Sequence, residues 1–240
     1  MIRFFAQPQD ISDGVIQLTT EDAEHIRALR LRPAEQFIVC DSAGTDYICH
    51  LGIRGTNTAK ISVTSPSLGE PSVMCKVYIA FAKGDRLDYA VQKSVELGAG
   101  EIVLFPSERC VSVPGDMSKK TARLQKIALE TAKQCGRGRI PEVTAISSFS
   151  SAIELASCAA LPLFIYEREE NRHLKQVLEN SGDFHTASIV TGPEGGFESH
   201  EAAFALSLGM ISVTLGPRIL RCETAPVIVL AALMFHTGNL

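Results

Sequence analysis

Apolar residues come in short, strand-length runs over the first 65 positions, and afterwards in runs that alternate with helical stripes. In the first part, residues 2–5, 15–18, 37–40, 47–53 and 59–63 read as strands, because runs this short suit half-buried strands better than helices. One helical pattern, residues 21–29, interrupts them. Glu21 and Asp22 stand in its first turn, where a helix dipole favours negative charge. Strands at this density predict a small β-barrel over residues 1–70. Residues 65–71, Ser-Pro-Ser-Leu-Gly-Glu-Pro, have the composition of a linker.

Beyond the linker, over residues 71–240, the rhythm changes. Residues 77–81 are apolar, and residues 86–97 carry a stripe of Leu87, Ala90, Val91 and Val95 that stops at Gly98. Residues 102–105 form the next strand, and a long helix follows over about 118–134. Strands at 161–166, 188–191 and 211–215 have helical segments between them. Alternation of this kind predicts an α/β domain whose parallel sheet is covered on both faces. Ligands of such sheets sit beyond the carboxyl ends of the strands.

Two of those strand ends lead into loops that are too rich in Gly and Pro to be plain connectors. The first is Thr191-Gly192-Pro193-Glu194-Gly195-Gly196-Phe197. The second runs Leu215-Gly216-Pro217-Arg218-Ile219-Leu220-Arg221-Cys222-Glu223-Thr224-Ala225. Glycine lets backbone approach a ligand closely, and proline limits the entropy lost when the loop is ordered. Such loops offer backbone N–H and C=O groups to a nucleotide-like cofactor. The Rossmann fingerprint, the P-loop and the nucleophile elbow are all absent, so the commoner nucleotide folds do not apply.

Composition narrows the picture further. The chain has 240 residues, 45% of them hydrophobic, enough for one large or two small cores. A formal net charge of −4 argues against a uniformly basic surface. The segment 119–139 nevertheless holds Lys119, Lys120, Arg123, Lys126, Lys133, Arg137 and Arg139 against the single acid Glu130. That imbalance suits either a solvated helix face or a footprint for an RNA backbone. Seven cysteines without a metal-ligand spacing read as reduced thiols, and the six histidines are scattered, so no metal site is expected. With no apolar stretch of signal or membrane-spanning length, a cytoplasmic protein is expected.

The two loops resemble the cofactor loops of the SPOUT methyltransferases, and more narrowly those of the small-subunit ribosomal RNA methyltransferase E family. Three further stretches agree: Lys83-Gly84-Asp85-Arg86 with Gln92-Lys93 and Glu96-Leu97-Gly98; Ser107-Glu108-Arg109-Cys110; and Gln134-Cys135-Gly136-Arg137 before Ile140-Pro141. The chain departs from the family at Ala34-Glu35, where Gly-Asp is usual, and at Cys222, where Thr is common. The resemblance implies a trefoil-knotted parallel-sheet domain over 71–240, preceded by a PUA-like RNA-binding barrel over 1–70. It also implies S-adenosylmethionine as cofactor, a homodimer, and methylation of a uridine at N3 in 16S ribosomal RNA, within the small ribosomal subunit.

By this resemblance the cofactor contacts are Thr191, Gly192, Pro193, Glu194, Gly195 and Gly196 in the first loop. Leu215, Gly216, Ile219, Leu220 and Ala225 are those of the second. Arg221 is the candidate to stabilise the anionic uracil or to clamp its phosphate, with a carbonyl-capping surface arginine as the alternative. Glu194 and Glu223 are candidates to accept the N3 proton, or carboxylates that favour nearby helix starts. The RNA-contact candidates are Arg3, Arg27, Arg30 and Arg32 in the first domain, and Lys83, Arg86, Arg109, Lys119, Lys120, Arg123 and Arg137 in the second. A methyltransferase acting on a ribose 2′-hydroxyl, and a non-catalytic RNA-binding assembly factor, are the alternatives.

Overall fold

Two compact units make up the protein in a computed structural model, which describes residues 1–32, 34–52 and 56–240. The first comprises Met1–Glu70 together with residues 130–140, and the second the remainder from Pro71. The grouping of 130–140 with the first unit is not visible in a linear reading.

The first unit holds β1 (Arg3–Phe5), β2 (Ile11–Ser12), β3 (Val15–Gln17), α1 (Thr20–Ala28), β4 (Phe37–Cys40), β5 (Thr45–Leu51) and β6 (Thr58–Pro66). They form one six-stranded sheet in the order β1-β4-β5-β6-β3-β2, parallel at β1/β4 and antiparallel elsewhere. Phe4, Ile16, Ile26 and Phe37 are fully buried, with the Phe4 and Phe37 rings edge to face at 5.7 Å. The strand β2 escapes the apolar pattern because it is two residues long. The turn after it is a two-residue hairpin, in which Asp13 and Gly14 both take positive φ (49° and 76°).

The linker reading needs correction at its start. Ser65 and Pro66 are the end of β6, paired with Asp46 and Thr45. Proline fits there because β3 pairs with β6 only over Thr58 to Lys60, leaving that side of the later residues without a sheet partner. Of the strand expected over 47–53, Ile53 lies outside the described residues.

The second unit runs β7 (Met74–Ala80), α2 (Arg86–Glu96), β8 (Glu101–Phe105), α3 (Met117–Cys135), β9 (Glu142–Ala145), α4 (Phe149–Ser157), β10 (Leu161–Ile165), α5 (Leu174–Glu179), β11 (Thr186–Thr191), α6 (Ser199–Ser207), β12 (Ile211–Val213) and α7 (Thr224–His236). The last six residues of α3 belong to the first unit's grouping. All strand pairs are parallel, in the order β12-β10-β11-β7-β8-β9. The edge strand β9 and the helix α4 before β10 are elements of this unit that the sequence reading missed.

Side chains alternate across this sheet with period two. Tyr78, Phe105, Phe164 and Val190 share one buried cluster with Ala152 and Ala156 of α4 and Ala202 and Ala205 of α6. The small residues let the two helices lie close on that face. On the other side, α7 packs on β7 and β11 and against α2. Among the described residues no helix is long and apolar enough to cross a membrane.

One stretch of backbone has an unusual set of partners. The loop from Tyr166 to His173 leaves β10, and its bonds flank Thr214 just past β12. The Tyr166 N–H donates to Val213 O (3.2 Å), Thr214 N–H to Arg172 O (2.9 Å) and Leu174 N–H to Thr214 O (3.2 Å). Glu169 fixes the loop by accepting from Ser212 Oγ and from the backbone of Asn171 and Arg172. Those donors hold its carboxyl below its ordinary value.

Candidate active site

Three loops at the carboxyl ends of β10, β11 and β12 enclose a cavity of about 630 Å3. The loop after β11 is shaped by its glycines and by Phe197. Gly196 takes φ +70° and closes a turn by donating to Pro193 O at 3.0 Å. A Cβ at Gly196 would run into the Glu167 carboxylate, and one at Gly195 would lie 2.8 Å from Arg109 Cβ. At Gly192 an added Cβ would lie 3.1 Å from the Phe197 ring. Phe197 is fully buried, stacked on Phe164 at 4.5 Å, so the end of this loop is pulled into the core.

The loop after β12 turns at Gly216, φ +96°, whose N–H donates to Thr214 Oγ1. It ends where Arg221 O accepts from the N–H groups of Thr224 and Ala225 and begins α7. The guanidinium of Arg221 is exposed and, like that of Arg218, has no hydrogen bond or ion pair among the described residues; both residues line the cavity. Unpaired cations at the wall of a cavity are available to a ligand.

All eleven positions expected to contact a cofactor line this cavity: Thr191 to Gly196 without a gap, and Leu215, Gly216, Ile219, Leu220 and Ala225 opposite. Tyr166, Glu167 and Arg168 supply a third wall, and the sequence reading missed them. Their signal was the end of the apolar run at Ile165, which puts them at the same edge of the sheet as the two glycine loops.

The carboxylate candidates are otherwise engaged. Glu194 Oε1 accepts from Lys83 N–H at 2.9 Å and from Arg86 Nη1 at 2.5 Å. Burial raises its pKa, but these donors and the Arg86 charge prevail and hold the carboxyl below its ordinary value. Glu223 lies 3.7 Å from Arg86 Nε, accepts from the Cys222 thiol at 3.2 Å, and is not part of the cavity wall. The proton-acceptor role is therefore corrected for Glu194, since an acid held ionised by its partners is a weak base, while Glu223 stands outside the cavity lining. Burial and Glu223 push the Cys222 thiol up to about 12, so it stays a neutral donor.

A second latch fixes the first loop. Arg109 Nε pairs with Glu198 at 2.5 Å while its Nη1 donates to Gly195 O at 3.0 Å. Glu201, 4% exposed, accepts from Ser107 Oγ, Glu108 N–H and Glu198 N–H, so the start of α6 also anchors the loop that carries Arg109. Glu201 is a functional support the sequence did not single out.

The RNA-contact candidates divide by exposure. Arg27, Arg30 and Arg32 are exposed in the first unit, and Lys83, Lys119 and Arg123 in the second, with Lys120 half-buried. Arg123 and Lys120 share Asp88, at 2.5 and 4.0 Å. Two assignments are corrected. Arg3, 8% exposed, is locked in a two-pronged pair with Asp46, and Arg137, 4% exposed, in another with Glu70. A cation buried against its own carboxylate is not offered to a phosphate. Arg86 and Arg109, half-buried and paired as described, are structural latches first.

Comparisons with known proteins agree on what this arrangement resembles. Residues 70–234 match a family described as RNA methyltransferase domain. A ribosomal RNA small subunit methyltransferase E from Mesomycoplasma hyopneumoniae is 32% identical over 96% of this chain and 97% of its own. The protein of that name from Bacillus subtilis is 30% identical over 99% and 97%. A crystal structure of the Neisseria gonorrhoeae protein of that name, bound to S-adenosylmethionine, superposes with a TM-score of 0.86. It is 29% identical, and the match covers 98% of this chain and 97% of that one.

Proposed function

This chain belongs to the ribosomal RNA small subunit methyltransferase E family and is an S-adenosylmethionine-dependent RNA methyltransferase, and we propose that it methylates N3 of a uridine in small-subunit ribosomal RNA. The observation that carries the reading is the cavity, in which two arginines, unpaired among the described residues, stand beside two glycine loops. Its volume of about 630 Å3 suits a ligand of cofactor size. At Gly192, Gly195 and Gly196 an added Cβ would press on Phe197, Arg109 and Glu167 behind the wall, so the loop keeps its shape only with glycine there.

Bound there, S-adenosylmethionine supplies an electrophilic methyl group on a sulfonium. The residues of the chain have the remaining tasks. The loop after β11, latched by Arg109 and Phe197, holds the cofactor in one geometry, which is where most of the rate advantage of an in-line transfer lies. Arg221 would face the negative charge that uracil acquires as N3 loses its proton to solvent, and would stabilise that charge.

The fold supports the finer reading. The loop of residues 166–174 hydrogen-bonds on both sides of Thr214, as expected of a C-terminal segment threaded into a trefoil knot. Short strands in a mixed sheet suit a PUA-like barrel that holds RNA. The apolar helix α7 leaves Ile228 and Phe235 46% and 76% exposed, a face that a second copy in a homodimer would cover. The substrate, rRNA in the assembled small subunit, sets the work in the cytoplasm.

Nucleoside mass spectrometry of small-subunit rRNA tests the reaction. Cells lacking this protein should lose one base-methylated uridine, and purified protein with S-adenosylmethionine should restore it on small subunits. A missing ribose-methylated nucleoside instead would overturn the N3 assignment. Neutralising Lys119, Lys120 and Arg123 together should weaken RNA binding. It should also make the dependence of log K on log salt shallower by about 2, since roughly 0.7 counterions per contact are no longer released. Cofactor affinity should be unchanged. An unaltered slope would make this part of α3 a solvated face.

A further inference from the structure

We infer that Arg86 is a positioning residue that joins the two cofactor loops from outside the cavity lining, bonding Glu194 of the first and facing Glu223 of the second. The inference rests on the methyltransferase reading of the cavity, and goes beyond it in assigning a role to a residue outside the cavity lining.

The geometry is specific. Arg86 opens α2, and its Nη1 reaches Glu194 Oε1 at 2.5 Å and Lys83 O at 3.3 Å, while Nε lies 3.7 Å from Glu223 Oε2. Lys83 N–H donates to the same Glu194 oxygen at 2.9 Å, so the turn before α2 and the loop after β11 are bonded twice. Glu223 is the residue immediately before α7, at the end of the loop after β12. One guanidinium thus meets a carboxylate from each loop, with a different nitrogen toward each. A lysine ammonium carries its three donors on one nitrogen and does not reproduce the separate Nε and Nη1 of the planar guanidinium.

The charges argue the same way. A cation in the first turn of a helix opposes the helix dipole, so Arg86 is misplaced unless anions compensate it. Glu194 and Glu223 do so. Without Arg86 each carboxylate would lose the cation it meets, and the two loops the side chain that joins them. Neither loop reaches the other by a backbone hydrogen bond among the described residues.

Calorimetry of S-adenosylmethionine binding, without RNA, tests the joint. Arg86→Met should weaken affinity by about tenfold, and Arg86→Lys should recover part of that loss. Glu223→Gln in the Arg86→Met background should cost nothing further, because the pair is already broken. Glu194 gives a readout that a general loss of packing would not move. It faces Arg86, the Lys83 N–H and the Cys110 and Cys222 thiols, and both thiols are pushed up and neutral. With Arg86 gone, burial is less opposed and the carboxyl rises. The acid limb of affinity against pH should therefore move to higher pH in Arg86→Met than in wild type.

The outcomes separate. No binding by the wild-type protein would overturn the cofactor reading itself. Wild-type affinity and an unmoved acid limb in Arg86→Met would overturn the joint alone. Retained cofactor affinity with a shallower salt dependence of RNA binding would make Arg86 an RNA contact and also overturn it. If Arg86→Met does not fold, Arg86→Lys carries the test: affinity equal to wild type would overturn the proposal, and a partial loss with an unchanged melting temperature would support it.

Discussion

Arg221→Ala should lose on the order of a hundredfold to a thousandfold in single-turnover rate, the usual loss when a stabiliser of a developing anion is removed. Cofactor affinity should change little, because the loops meet the ligand with backbone and this guanidinium bonds nothing else among the described residues. Arg221→Lys should recover only part of the rate, since it keeps charge without the planar fork. The pH profile separates two roles. If Arg221 favours the anionic uracil, raising pH should help the alanine variant more than wild type, because deprotonation is then assisted by solvent. If it only grips phosphate, pH should help both equally. A near-wild-type rate for Arg221→Ala would remove the residue from the mechanism.

Gly196→Val should lower S-adenosylmethionine affinity by on the order of a hundredfold. At φ +70° a β-branched residue is strained by about 1–3 kcal/mol, and its Cβ would also meet the Glu167 carboxylate. The loop can relieve both only by shifting the wall that holds the ligand. Gly209→Val is the control. It carries a similar strain at φ +83° with open space around the new Cβ, and it lies outside the cavity. It should cost stability and leave affinity alone. Calorimetry with a melting curve for each variant reads both effects; unchanged affinity in a folded Gly196→Val would remove this loop from the pocket.

The charged residues show where sequence reading reaches its limit. Arg3, Arg137 and Arg86 each read as a free cation. Their partners Asp46, Glu70 and Glu194 lie 43, 67 and 108 positions away. No pattern along the chain ties such pairs together. Glu194 failed as a proton acceptor for the same reason, since the donors that occupy it, Lys83 N–H and Arg86, come from the start of α2 and the turn before it. The cavity wall of Tyr166, Glu167 and Arg168 was missed because it has no glycines to mark it. Strand β9 was missed because four residues at a sheet edge leave little periodicity to detect.

What the sequence determined by itself was local: the alternation of apolar runs and stripes that yields the parallel sheet, and the two glycine loops at strand ends. Period and φ are properties of neighbouring residues, so a short window of sequence carries them. The tertiary structure alone decided which charges are spent on one another and which, like Arg218 and Arg221, remain open to a ligand. Hydrogen bonds and ion pairs act over about 3 Å of space whatever the separation along the chain, so only folding can assign them.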